Sequence, residues 1–188
     1  HGVPGAFLTL IGSRILEQIV TIEKLTDPSK ILARLDEQIY TSLNSKEDDI
    51  IRDGMEIAIC VINKKQKTLC YSGAGLGVIY FLNDQENYIK GQRKSIGDYR
   101  ESNFEFENIQ IKYTGEEYFY MASDGYQDQL GGENYKRFSK KRTIDLLRDI
   151  SNNTSVNKEE VLDKEMRDFI GKYHQTDDIT VIGFKLNA

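Results

Sequence analysis

A chain of 188 residues suits one domain, and 39% hydrophobic with 29% charged residues describes a core beneath a charged surface. Its net charge of −5 argues against nucleic acid as a partner, and no apolar run is long enough to insert in a membrane. Cys60 and Cys70 fall in strand-like runs and are expected to be reduced and buried, which points to a cytoplasmic setting.

His1-Gly2-Val3-Pro4-Gly5 leads straight into a helix. Phe7, Leu8, Ile11, Ile15 and Ile19 recur at the spacing of one helical face, and Pro4 suits a first turn. Asp27-Pro28 reads as an N-cap and first-turn proline, with Leu32, Leu35, Ile39 and Leu43 inward on the helix that follows. Residues 45–53 are polar and acidic, a loop. The period then falls to two. Residues 56–63 are apolar on both faces, so a strand covered on both sides is expected, and 68–72 return as its neighbour. Gly73, Gly75 and Gly77 lie between strands with no helix after them, which favours a bend over a dinucleotide loop. Residues 78–82 are a strand, and 83–103 are irregular with a short strand near Tyr88-Ile89. Phe104, Phe106, Ile109, Ile111 and Tyr113 suggest a further strand. Thr114-Gly115-Glu116 turns into the apolar run 118–121, which stops at Ser123-Asp124-Gly125 before a short helical turn and Gly131-Gly132.

Lys136, Arg137, Lys140, Lys141 and Arg142 form a basic segment, read as a solvated loop, with docking of an acidic or phosphorylated partner as the alternative. Helices follow over 143–151, with Ile144, Leu147 and Ile150 inward, and over 158–172, with Leu162, Met166, Phe169 and Ile170 inward. Asp177-Asp178 precedes a last strand at 179–186. Helix pairs set apart from an antiparallel run of strands imply an α+β fold, with sheets layered between helices.

Asp124 closes one apolar strand and Asp177-Asp178 opens another. If the two strands are antiparallel neighbours, the carboxylates meet at one sheet edge. That is a hard oxygen donor set suited to Mg²⁺ or Mn²⁺, and no Cys/His cluster competes with it. On spacing alone the favoured reading of the same residues is a turn and a solvated strand start. Adjacent strand residues face opposite ways, so only one of Asp177 and Asp178 is expected to reach a shared cation. Gly2 and Gly5 at a helix start fit either an anion site or close packing, and His1 also fits a tag residue. His174 is read as a surface residue, and no Gly-x-Ser-x-Gly nucleophile elbow occurs.

His1-Gly2-Val3-Pro4-Gly5-Ala6-Phe7 looks like the second half of an Asp-x-Thr-Gly-His-Gly-Val-Pro-Gly-Ala motif. Asp53-Gly54-Met55-Glu56-Ile57-Ala58, Tyr71-Ser72-Gly73-Ala74, Ser123-Asp124-Gly125-Tyr126 with Gly131-Gly132, and Thr176-Asp177-Asp178-Ile179-Thr180 follow in matching order. Together, over nearly the whole chain, they resemble the sporulation-type bacterial branch of the metal-dependent serine/threonine phosphatases, the protein phosphatase 2C superfamily. The resemblance implies an α-β-β-α sandwich of antiparallel sheets with a Mn²⁺ or Mg²⁺ cluster at one end. Asp124 and Asp177 match the family's metal-binding aspartates, with Gly2, Gly125 and Asp178 in support. A metal-activated water would hydrolyse phosphoserine or phosphothreonine with no covalent enzyme intermediate.

The resemblance also implies a substrate that is a phosphorylated regulatory protein of anti-sigma-factor antagonist type. Residues 4–20 and 28–44 match switch helices that form homodimer contacts, and residues 55–188 match the sheet and metal-site core of a single phosphatase domain over 1–188. The domain would serve as a cytoplasmic output of a larger sensor. The family's first two metal aspartates lie ahead of the position of His1. The domain is therefore expected to be N-terminally incomplete, to hold one cation or none in place of two, and to be weak or inactive by itself. The alternative is a non-catalytic, phosphatase-like module that dimerises or binds a partner.

Overall fold

Five helices and nine strands form among residues 2–43, 54–82, 85–98 and 104–187, which the computed structural model describes. In chain order they are α1 (Gly2–Thr21), α2 (Pro28–Leu43), β1 (Ile57–Asn63), β2 (Thr68–Ala74), β3 (Val78–Leu82), β4 (Gln85–Ile89), β5 (Ile109–Lys112) and β6 (Tyr118–Ala122). There follow α3 (Asp124–Asp128), β7 (Leu130–Gly131), β8 (Lys136–Arg137), α4 (Lys140–Asn152), α5 (Lys158–Ile170) and β9 (Val181–Lys185). Every ladder between these strands is antiparallel, as the α+β expectation requires. His1 and the loop expected at 45–53 lie outside the described residues. The chain divides into two compact units, residues 1–77 and 90–113 with residue 188, and residues 78–89 and 114–187.

In the first unit the sheet order is β1-β2-β5, with α2 packed over β1 and β2 and α1 beside α2. The start of α2 is built locally. Asp27 Oδ1 accepts from Lys30 N (3.1 Å), Ser29 Oγ (2.7 Å) and Asn108 Nδ2 (2.8 Å). Ile31, Leu32, Leu35 and Ile39 of α2 bury against Ile19, Ala74, Ile96 and Phe106. Full burial of side chains this size is worth about 1.5–3 kcal/mol each. Lys94 is buried, and its ammonium pairs with Asp36 Oδ2 (3.0 Å) and donates to Asp98 O (2.9 Å). Gly97 N donates to the other Asp36 oxygen (2.6 Å), so one carboxylate on α2 holds the 94–98 loop.

Four expectations change in this unit. Phe7 is 62% exposed, whereas the helical spacing puts it on the inward stripe of α1. At 3.6 residues per turn it lies about 120° around the helix from fully buried Ile19. The strand buried on both faces is β2, which is central, whereas β1 is half-buried and then exposed. Residues 104–113 form a strand only at 109–112. The Gln92 side chain takes the place of a strand neighbour there, donating to Glu105 O (3.2 Å) and accepting from Glu107 N (2.7 Å). Neither cysteine is in a disulfide, but both are only half-buried, and burial pushes Cys60 up to about 11. Gly75 has φ +76°, so the glycine run is the expected bend.

In the second unit the sheet order is β4-β3-β6-β9. Ile144, Leu147 and Ile150 of α4 pack on Ile79, Phe81 and Tyr120, and the Tyr120 and Ser151 hydroxyls meet at 2.8 Å. Tyr126, Phe138 and Met166 form a second cluster, in which Tyr126 OH donates to Leu162 O (2.9 Å). The expected short strand near Tyr88 is the longer β4, paired along five residues of β3. Lys140, Lys141 and Arg142 are not a loop but the first turn of α4, because Ser139 caps that helix and accepts from Arg142 N (3.4 Å). Gly131-Gly132 has a packing reason. A Cβ at Gly131 would lie 2.2 Å from Phe169 O, and Gly132 N donates to that same oxygen (2.8 Å). Among the described residues no helix is long and apolar enough to cross a membrane.

Candidate functional site

β6 and β9 run antiparallel, with Met121 opposite Ile182 and Ala122 opposite Val181. The end of β6 and the entry to β9 are therefore side by side. Pairing continues one residue further through a side chain. Ser123 N donates to Thr180 O (2.9 Å), while Ser123 Oγ accepts from Thr180 N (3.0 Å) and donates to Asp178 O (3.0 Å). Ser123 is the N-cap residue of α3, yet its hydroxyl makes no cap bond because it is spent on the neighbouring segment. Asp124 begins α3 and is exposed.

Gly125 lies directly against the opposite segment. A Cβ there would be 2.3 Å from Asp178 O and 3.4 Å from Asp177 Cβ. Asp177 is half-buried, and its Oδ1 accepts from Asp178 N (2.7 Å). Gln175 Nε2 donates to Asp177 O (2.7 Å). Asp124, Gly125, Asp177 and Asp178, named from the sequence, thus converge at one end of the β6–β9 pair. The aspartates precede β9 instead of opening it, since the strand starts at Val181 and not at 179. The opposite-face rule for a strand consequently does not apply to them. Gly2 belongs to the other unit, where it begins α1.

Sequence reasoning missed Gln129. This side chain is fully buried and joins the end of α3 to the segment before Asp177, through His174 O and through Thr176 N. Its only sequence signal is a polar residue next to an apolar one at the end of a helical turn, which is too common to single out. Tyr126, one residue past Gly125, is pushed up by burial and so stays a neutral hydrogen-bond donor.

Chemically, the junction offers carboxylate oxygens without thiolate or imidazole. Mg²⁺ is commonly held by one or two carboxylates plus waters and substrate phosphate, so the donor set fits a hard divalent cation. Among the described residues no group of three His, Cys, Asp or Glu side chains converges.

Solved structures of PP2C-type phosphatases match along the chain. The SiaA-PP2C domain of Pseudomonas aeruginosa is 25% identical with a TM-score of 0.87, over 100% of this chain and 72% of that one. The PP2C phosphatase domain of Bacillus subtilis SpoIIE, with a fragment of its regulatory domain, is 15% identical with a TM-score of 0.71, over 99% and 51%. The RsbU and RsbW domains of a Mycobacterium tuberculosis protein are 14% identical with a TM-score of 0.73, over 100% and 49%. The last two share the fold alone, and this chain spans about half their length. The family model for stage II sporulation protein E matches residues 1–187, and the chain belongs to the SpoIIE family, a bacterial branch of the PPM serine/threonine phosphatases. No curated protein matches the chain in sequence.

Proposed function

We propose that the chain hydrolyses phosphoserine or phosphothreonine on a bacterial regulatory protein, with Mn²⁺ or Mg²⁺ held at Asp124 and Asp177. The observation that carries this reading is the junction of β6 with the entry to β9, which brings two carboxylate positions together around Gly125. Phosphatases of this family use Mn²⁺ or Mg²⁺. When bound, such an ion polarises phosphoryl oxygens and supplies a nucleophile at neutral pH.

The chain's own residues do the positioning. Asp124 and Asp177 provide the negative oxygens. Gly125, lacking a Cβ, lets the Asp178 carbonyl approach, and Ser123 locks the two segments in register. The Ser123 hydroxyl is committed as both donor and acceptor, so it is not a free nucleophile, which agrees with direct hydrolysis. Asp124, Asp177 and Asp178 are the carboxylates at this junction, and this stretch by itself is expected to turn over weakly or not at all. An anti-sigma-factor antagonist type of substrate is the partner class we propose, with a second copy of the chain contacting residues 4–44 and a cytoplasmic setting as the output domain of a sensor.

The test is Mn²⁺-dependent dephosphorylation of a phosphoserine peptide by the full-length protein that carries this domain. Asp124→Asn and Asp177→Asn should each lower kcat/KM by about 100-fold, the loss of a few kcal/mol of charge stabilisation. Turnover that survives both substitutions, or that persists in chelator, would overturn the reading. Robust turnover by residues 1–188 alone would overturn the expected impairment.

A further inference from the structure

We propose that Gln129 is a positioning residue for the Asp124–Asp177 pair, acting through the segment 174–176; the inference rests on the metal-site reading above. Gln129 follows α3 directly, and its own backbone is fixed on both sides. Its N–H closes the short helix onto Gly125 O (3.1 Å), and its carbonyl accepts from Phe138 N (2.8 Å). The side chain is fully buried. Nε2 donates to Leu130 O (2.9 Å) and His174 O (2.9 Å), while Oε1 accepts from Thr176 N (3.0 Å) and Thr176 Oγ1 (3.3 Å). A primary amide has two donor hydrogens and two acceptor lone pairs, and all four are used. The orientation of the amide is unambiguous, because the flipped rotamer would aim NH₂ at the donor Thr176 N and the oxygen at two carbonyls.

The consequence lies in what the clasp brackets. Asp177 follows Thr176 directly and sits in a stretch that is neither helix nor strand. Gln129 grips that stretch ahead of Asp177, and Ser123 grips it behind, through Asp178 O and Thr180. The two gripping residues cap the two ends of α3. One short helix therefore carries Asp124 at its start and holds the segment bearing Asp177 from both of its ends. Removing the Gln129 clasp releases residues 174–176, just ahead of Asp177, from the end of α3. A side chain of similar size without the amide, such as Met, fills the space but satisfies neither Thr176 N nor His174 O.

The experiment is a Mn²⁺ titration followed by electron paramagnetic resonance, on the full-length protein, with thermal unfolding of each metal-free variant recorded alongside. Gln129→Met should raise the Mn²⁺ Kd by about 10–100-fold, the range seen when a residue orienting a ligand is lost. Gln129→Glu turns a second oxygen toward Leu130 O and His174 O, which need a donor, and should raise the Kd as well. Tyr120→Phe, which removes the bond to Ser151 in the core, should lower the melting temperature and leave Mn²⁺ binding unchanged. Wild-type affinity in Gln129→Met would overturn the proposal. If that variant fails to fold, Thr176→Val decides, since it removes the Thr176 Oγ1 bond to Gln129 Oε1 at an exposed residue. A weaker Mn²⁺ site supports the clasp, and an unchanged one overturns it. Wild-type affinity in Asp124→Asn would instead sink the metal-site reading itself, and the positioning role with it.

Discussion

A methyl group at Gly125 would lie 2.3 Å from the carbonyl oxygen of Asp178, closer than any ordinary contact with backbone. Backbone cannot swing aside as a flexible side chain can, so the two segments must part. Gly125→Ala should cost about 1–3 kcal/mol, the usual range for overpacking. A urea titration would register this as a lower midpoint at unchanged slope. A midpoint equal to wild type would mean the close approach does not exist. The same residue marks what could be read from the sequence at this scale. Asp124, Gly125, Asp177 and Asp178 stand out because short acid–glycine and acid–acid pairs end or begin apolar runs. Gln129 does not, because its partners are backbone atoms of residues 45 and 47 positions away. Nothing in a local pattern reports an amide that bonds to distant main chain.

Elements whose signals are local were legible, and those that depend on a distant side chain were not. Asp27-Pro28 predicts the start of α2, and the structure begins the helix there because the Asp27 carboxylate accepts from the first turn. By contrast, the alternation of Phe104 with Phe106 reads as strand. Those rings instead pair edge to face at 5.1 Å in the first unit's core, and the Gln92 amide takes the ladder's place. The onset of α4 reads as loop because five cations among the seven residues 136–142 suggest a solvated segment and hide the Ser139 cap.

The cap at Asp27 has a pH signature. Hydrogen bonds from Asn108 and then Ser29 hold its carboxyl at about 2 in the folded chain. An unfolded aspartate titrates near about 3.9. A folded value below the unfolded one means the stabilisation is complete above the unfolded value and fades as pH falls through the folded one. Asp27→Ala should therefore cost about 1 kcal/mol at neutral pH. The gap between variant and wild type should close between pH 4 and pH 2. A gap independent of pH over that window would show that the charged form of Asp27 is not what caps α2.

At the scale of the whole molecule, the sequence conveys the α+β order because the apolar period changes from helical to two and back. It carries no mark of the division into two units, since the chain leaves the first unit after residue 77 and returns to it at residue 90. The proposed contact with a second copy through residues 4–44 belongs at this scale too. Single exposed apolar residues are ordinary on protein surfaces. Phe7 and Leu10, however, are three residues apart on α1, 62% and 69% exposed, and so adjacent on its outer side. The inward face of α1 is already taken up by Leu8, Ile15 and Ile19 against α2, which leaves the outer pair free to meet another chain. Light scattering across a concentration series should find the average mass rising from one chain toward two. Replacing Phe7 and Leu10 together by lysine should hold the mass at one chain throughout without lowering the melting temperature of the dilute protein, because neither side chain is part of the core. A wild-type protein that stays at one chain mass at every concentration would rule out self-association through this helix.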